Sequence, residues 1–207
     1  FFKIAFDILR DMVFEPDFLE KNVELERKII LQEYYAEKEI PEQRLFNLFF
    51  EKLIDGPHSK STIGTEESIR RISKEDLDSF HAEMYSPYNV KLIIAGNVNS
   101  EDMEILKSLN LDEGTKTAKH VSQLKEGIVC DKFEESQQVH FLFSHNGLPL
   151  SNEDALYPSM VLNTLLGSGM SSLLFEKIRE KRGFVYDIST NNIQSKEWGV
   201  FSVYAAT

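Results

Sequence analysis

Glu26 and Glu33 stand seven residues apart in the run Val23-Glu-Leu-Glu-Arg-Lys-Ile-Ile-Leu-Gln-Glu-Tyr-Tyr35. Two turns of one helix aim both carboxylates the same way. Such a pair is half of a metal site, and it is equally what the wet face of an amphipathic helix carries; spacing alone leaves both readings open. Arg179 and Tyr186 are also seven apart, with Gly183 between them as a helix stop that leaves Tyr186 at the entry of the next strand. On residue types alone, Arg179 pairs with a helix-surface acid such as Glu176, and Tyr186 packs on a sheet.

The five histidines are His58, His81, His120, His140 and His145. The closest pair, His140 and His145, is spaced by five in a strand-like run, whereas two histidines that bind one metal from a helix need i, i+4 spacing. His58 and His81 read as surface or helix-end residues. The single cysteine, Cys130, excludes an internal disulfide and a cysteine-based zinc cluster, and reads as a small packed residue. Gly167-Ser-Gly-Met-Ser-Ser172 lacks the Gly-Lys-Ser/Thr ending of a phosphate loop; Ser171 and Ser172 are expected to cap the helix that carries Arg179.

These residues need elements to hold them. Phe2, Ala5, Phe6, Leu9, Met12 and Val13 follow helical spacing, and the aromatic groups Phe1, Phe2, Phe6 and Phe46, Phe49, Phe50 read as core. The glutamate helix comes next. A third helix is predicted from Pro41 through Leu53, stopped by Asp55-Gly-Pro57. Ser73-Lys-Glu-Asp76 is a capping-box variant that starts a helix carrying Leu77, Phe80 and Met84. Val90 to Ala95 is a continuous apolar run, expected as a buried strand. Beyond a polar stretch come a strand near Val139 to Ser144, a helix across Ala155 to Leu166, a helix from Ser171 to Lys181, and a closing hairpin turning near Ser195-Lys-Glu197.

With 42% hydrophobic and 28% charged residues, the 207-residue chain has ordinary soluble globular chemistry and room for one or two domains. No apolar stretch approaches the ~20 residues of a transmembrane helix, so no membrane partner is expected, and cytoplasm is the expected compartment, with an organelle as the other. A net charge of −11 argues against nucleic acid, which needs clustered Lys and Arg. The chain opens on a helical pattern with no initiator Met and no N-cap, and Trp198 to Thr207 alternates like a strand with no closing turn. It therefore reads as an internal piece of a longer protein; flanking residues left outside the numbering are the other reading.

The phrase from Glu26 to Glu33, followed in order by Gly64-Thr-Glu-Glu-Ser-Ile69, Val90-Lys-Leu-Ile-Ile-Ala-Gly-Asn-Val98 and Leu174-Phe-Glu-Lys-Ile-Arg-Glu-Lys-Arg-Gly-Phe-Val-Tyr186, resembles the pitrilysin/insulinase (M16) family of zinc peptidases, in particular its processing-peptidase branch. The resemblance spans nearly the whole chain. It implies an α+β fold with parts of two similar domains, each a mainly antiparallel sheet with helices packed on one face. Residues 1–112 would be the later half of the metal-binding N-terminal domain, 113–125 a linker, and 126–207 the early half of the second domain.

In that family two histidines of an H-x-x-E-H helix and a glutamate of a later helix hold zinc, and no H-x-x-E-H occurs here. A zinc ion with three protein ligands keeps a position open for water and lowers that water's pKa to ~7. By the resemblance, Glu33 is the metal ligand and Glu26 orients a zinc-binding histidine. Arg179 and Tyr186 then bind the substrate backbone and stabilise the oxyanion. The implied function is a zinc-dependent metalloendopeptidase for short or unfolded peptides, with this piece inactive alone and the whole protein a homodimer or paired with a peptidase-like partner subunit. The alternative is a non-catalytic structural or substrate-presenting subunit.

Overall fold

The computed structural model describes residues 1–109, 116, 121–134 and 136–207. Its contacts gather into two compact units, Phe1–Leu31 with Glu66–Lys119, and Gln32–Thr65 with His120–Thr207. Most of the linker expected over 113–125 lies outside the described residues, as does His120.

The first unit is helical. Helix α1 (Phe2–Phe14) buries Phe6, while Phe1 is fully exposed, so the expected core role holds for Phe6 and fails for Phe1. Helix α2 runs Glu20–Glu39, and its first part carries Arg27. The Arg27 guanidinium donates to the carbonyl of Ile69, and at 2.6 Å to that of Ile72, which caps the end of α4 (Glu66–Arg71). Those carbonyls have no partner within their own helix, so a cation at that end is favourable on both hydrogen-bond and dipole grounds. Helix α5 (Lys74–Met84) starts at Ser73 with both halves of the expected capping box formed. His81 in its last turn donates from Nε2 to the Val13 carbonyl at 2.8 Å and stacks on Tyr85, a helix-end role as predicted. Asn99 caps α6 (Ser100–Lys107) in the same way.

The expected strand at Val90 to Ala95 does not form. The segment has no strand partner among the described residues, and Leu92, Ile93 and Ile94 are exposed. An apolar run becomes a strand only where another strand takes up its backbone groups, a condition that the run itself does not encode.

The second unit is built on a three-stranded antiparallel sheet. After α3 (Pro41–Leu53), β1 (Ile54–Asp55) pairs with β2 (Gln123–Leu124). Strand β3 (His140–Asn146), helix α7 (Glu153–Gly167), a π-helical turn (Phe175–Glu180), β4 (Asp187–Gln194) and β5 (Gly199–Ala206) follow. The sheet order is β3-β5-β4, with β5 central. Pro41 opens α3, where its missing N–H costs nothing. Phe49 of α3 meets Ile54, Trp198 and Val200 in one core, with Phe50, Leu53, Leu142 and Ile193 around it. The opposite face of the sheet, through Ile188 and Ala205, packs on Phe175. Helices and antiparallel strands are thus mixed, as the sequence predicts.

Helix α7 lies close on β4. A Cβ at Gly167 would fall 2.5 Å from the Thr190 nitrogen, so only glycine permits this approach. Thr190 completes the contact by donating its hydroxyl to the Asn163 carbonyl at 3.0 Å.

Candidate functional site

Glu26 and Glu33 lie on the one continuous helix α2, two turns apart, and both are exposed. Among the described residues no group of three or more His, Cys, Asp or Glu comes together to hold a metal ion. A zinc site needs three protein ligands, so Glu33 fits one carboxylate position and the chain's described residues do not complete the set. The described histidines make other contacts. His140 Nδ1 is hydrogen-bonded to the Tyr204 hydroxyl at 2.9 Å, His145 Nδ1 donates to the Asn146 carbonyl at 2.6 Å, and His58 Nδ1 meets Ser122 Oγ at 2.8 Å.

Arg179 and Tyr186 come together. The Arg179 guanidinium lies 4.5 Å from the centre of the Phe175 ring and 5.6 Å from that of Tyr186. A cation over aromatic faces is attracted by their quadrupoles. Glu176, the acid that residue types alone would pair with Arg179, is bound instead by Lys181. That cation holds the Glu176 carboxyl below its usual range. Tyr186 stands at the strand entry as expected: its N–H donates to the Ala206 carbonyl at 2.7 Å, just ahead of β4. The residue is 69% exposed, so it does not pack on the sheet. Gly183, at φ +61°, supplies the left-handed stop predicted for it, and its N–H donates to the Arg179 carbonyl at 3.0 Å.

Two further expectations are overturned. Ser172 does not cap the following helix with its side chain: its hydroxyl is buried without a partner among the described residues, while its carbonyl accepts from the Glu176 N–H at 3.0 Å. A serine ahead of a helix caps only if its χ1 points back at the first free N–H groups, and burial directs this one elsewhere. Cys130 is exposed rather than packed. It sits in a segment without regular structure, so nothing folds over it.

That segment walls a groove of about 630 Å³, a feature absent from the expectations above. Leu45 and Leu48 of α3, Ile128, Asp131 and Leu142 are among its lining residues. Arg44 spans it, donating to Asp131 at 2.6 Å from Nη2 and lying 4.8 Å from the Phe133 ring centre. The Arg44 hydrogen bond holds the Asp131 carboxyl below the usual carboxylate range. Its partners are 87 residues apart in the chain, beyond any local pattern.

The fold defines a class before it defines a family. The chain is similar in fold to a protease from Helicobacter pylori, with TM-score 0.81 and 23% identity over 99% of this chain and 52% of that one. It is similar also to a peptidase M16 inactive domain from Pseudomonas fluorescens, with TM-score 0.79 and 22% identity over 98% of this chain and 50% of that one. Residues 71–207 match the family described as the peptidase M16 inactive domain, and the chain belongs to the M16 peptidase family. Among curated proteins it is 31% identical to an uncharacterized zinc protease of Mycobacterium leprae, covering 99% of this chain and 48% of the relative. It is 30% identical to another of Rickettsia felis, covering 98% and 50%. The chain thus spans about half the length of the curated relatives it matches. Among the described residues no helix is long and apolar enough to cross a membrane.

Proposed function

We propose that the intact protein is a zinc-dependent metalloendopeptidase that cleaves short or unfolded peptides. The observation that carries this reading is the match, over 98–99% of this chain, to proteins named zinc proteases. Glu33 supplies one carboxylate ligand to the zinc, and the other ligands come from the part of the protein outside this chain. Glu26, two turns earlier on α2, orients one of those ligands by accepting a hydrogen bond from it. Arg179 and Tyr186 bind the peptide backbone, and the guanidinium stabilises charge that develops on the carbonyl oxygen. The peptide adds as a strand to a sheet edge. The intact protein works as a homodimer or paired with a peptidase-like partner subunit.

The description of the matched family as an inactive domain favours a second reading, a non-catalytic subunit that presents substrate. Zinc content and chelator-sensitive peptide hydrolysis on the full-length protein, with Glu33→Gln beside it, separate the two. About one zinc per chain together with hydrolysis, both lost in the variant, supports the peptidase; neither in the wild type supports the subunit.

A further inference from the structure

Phe175–Glu180 is wound as a π-helical turn. The Lys181 N–H donates to the Glu176 carbonyl, five residues back, at 2.9 Å, the bond that defines this wider winding. The side chains of the same two residues form an ion pair. In an α-helix, residues five apart lie about 140° apart around the axis and do not meet, so this pair exists only in the π register.

Three side chains meet at the turn. The Phe175 ring is fixed by burial, at 8% exposure, against Ile188 and Ala205. Arg179 lies over it, and Tyr186 approaches from the strand entry. Phe175 and Arg179, four residues apart, share a face in either winding; rewinding the turn as α-helix instead redirects the residues that follow it, and with them the approach of Tyr186 to the guanidinium.

We infer that Phe175 is a positioning residue for Arg179, and that the Glu176–Lys181 pair is a clasp that keeps the π register in which the guanidinium stands beside Tyr186. The inference rests on the roles given to Arg179 and Tyr186 under Proposed function. Wide turns of this kind recur at functional sites, where they re-aim a side chain that an α-helix would direct elsewhere.

The test uses the full-length protein with Phe175→Leu, Glu176→Gln, Arg179→Lys and the Phe175→Leu/Arg179→Lys double variant. The first readout needs no turnover: the NMR signal of the Arg179 Nε–H group, displaced in the wild type by the two aromatic rings. In Phe175→Leu and in Glu176→Gln it moves toward the position of an unstacked arginine. The second readout is peptide hydrolysis. Arg179→Lys lowers kcat about a hundredfold, the scale of one lost oxyanion donor. Phe175→Leu lowers kcat about tenfold with KM held within about twofold, the scale of a desolvated cation–π contact. The double variant is no worse than Arg179→Lys alone, because Phe175 acts through Arg179.

Glu176→Gln changes only the surface and reports on the clasp even if Phe175→Leu fails to fold. An Arg179 signal unmoved in Glu176→Gln overturns the clasp, whether or not the protein hydrolyses peptide. Wild-type kcat in Phe175→Leu beside an impaired Arg179→Lys overturns the positioning role alone, and additive losses in the double variant do the same. Wild-type kcat in Arg179→Lys overturns the role of Arg179 itself.

Discussion

His140 Nδ1 and the Tyr204 hydroxyl are hydrogen-bonded at 2.9 Å, joining β3 to the central strand β5 beneath the Phe46 ring, whose centre is 6.3 Å from that of Tyr204. The Tyr204 phenol is pushed up to about 12, first by burial and then by the negative charges of Glu42 and Asp187. All three effects disfavour the phenolate.

A phenol that is a weaker acid in the folded state makes stability fall as the medium becomes basic. Below pH ~10 the phenol is neutral in both states and contributes no pH dependence; between there and the folded value of about 12, only the unfolded chain ionises freely, and stability is lost. Urea midpoints taken at rising pH are expected to fall in this window, and Tyr204→Phe is expected to flatten the fall. An equal slope in the variant removes Tyr204 as the cause.

Gly167→Ala is expected to destabilise the second unit by about 1–3 kcal/mol, because the added methyl group meets the backbone of β4 and not a yielding side-chain end. Thermal unfolding checks this. A melting temperature within error of the wild type means that α7 can withdraw from Thr190 at no cost.

Phe49→Ala is expected to cost about 3–5 kcal/mol, since Phe49 is 4% exposed and stands among Ile54, Trp198 and Val200. The cost appears in a urea titration followed through Trp198 fluorescence, which reports on the same core. A shift well under 1 kcal/mol would show that the cavity collapses or fills with water.

In the full-length protein, Glu26→Gln is expected to weaken zinc binding by about tenfold to a hundredfold without abolishing it, as removal of a group that orients a ligand does. Competition against a zinc-sensitive dye measures it. Unchanged affinity assigns Glu26 to the solvated face of α2.

Much of the scaffold was legible because its signals are local. Ser73 and Asp76 close a capping box within four residues, Pro41 opens α3, and Ser195 N–H meets the Trp198 carbonyl at 2.8 Å in the predicted hairpin turn. Glu26 and Glu33 share a helix as their spacing requires, and the strand-entry position of Tyr186 follows from Gly183. What escaped depends on partners far along the chain. Val90 to Ala95 has no pairing strand among the described residues, Ser172 turned inward, and the groove spanned by Arg44 and Asp131 joins segments that no short window contains. The π-turn escaped for another reason: one extra residue in a helical turn leaves the apolar period almost unchanged over so short a span.

The order β3-β5-β4 places the last strand of the three in the middle of the sheet. Neither β3 nor β4 has a neighbour in this sheet until β5 exists, and Phe49 waits for Val200, some 150 residues later. A nascent chain leaving the ribosome therefore holds an open, apolar intermediate until residues up to Ala206 have emerged, and then closes its ladders in a single late step.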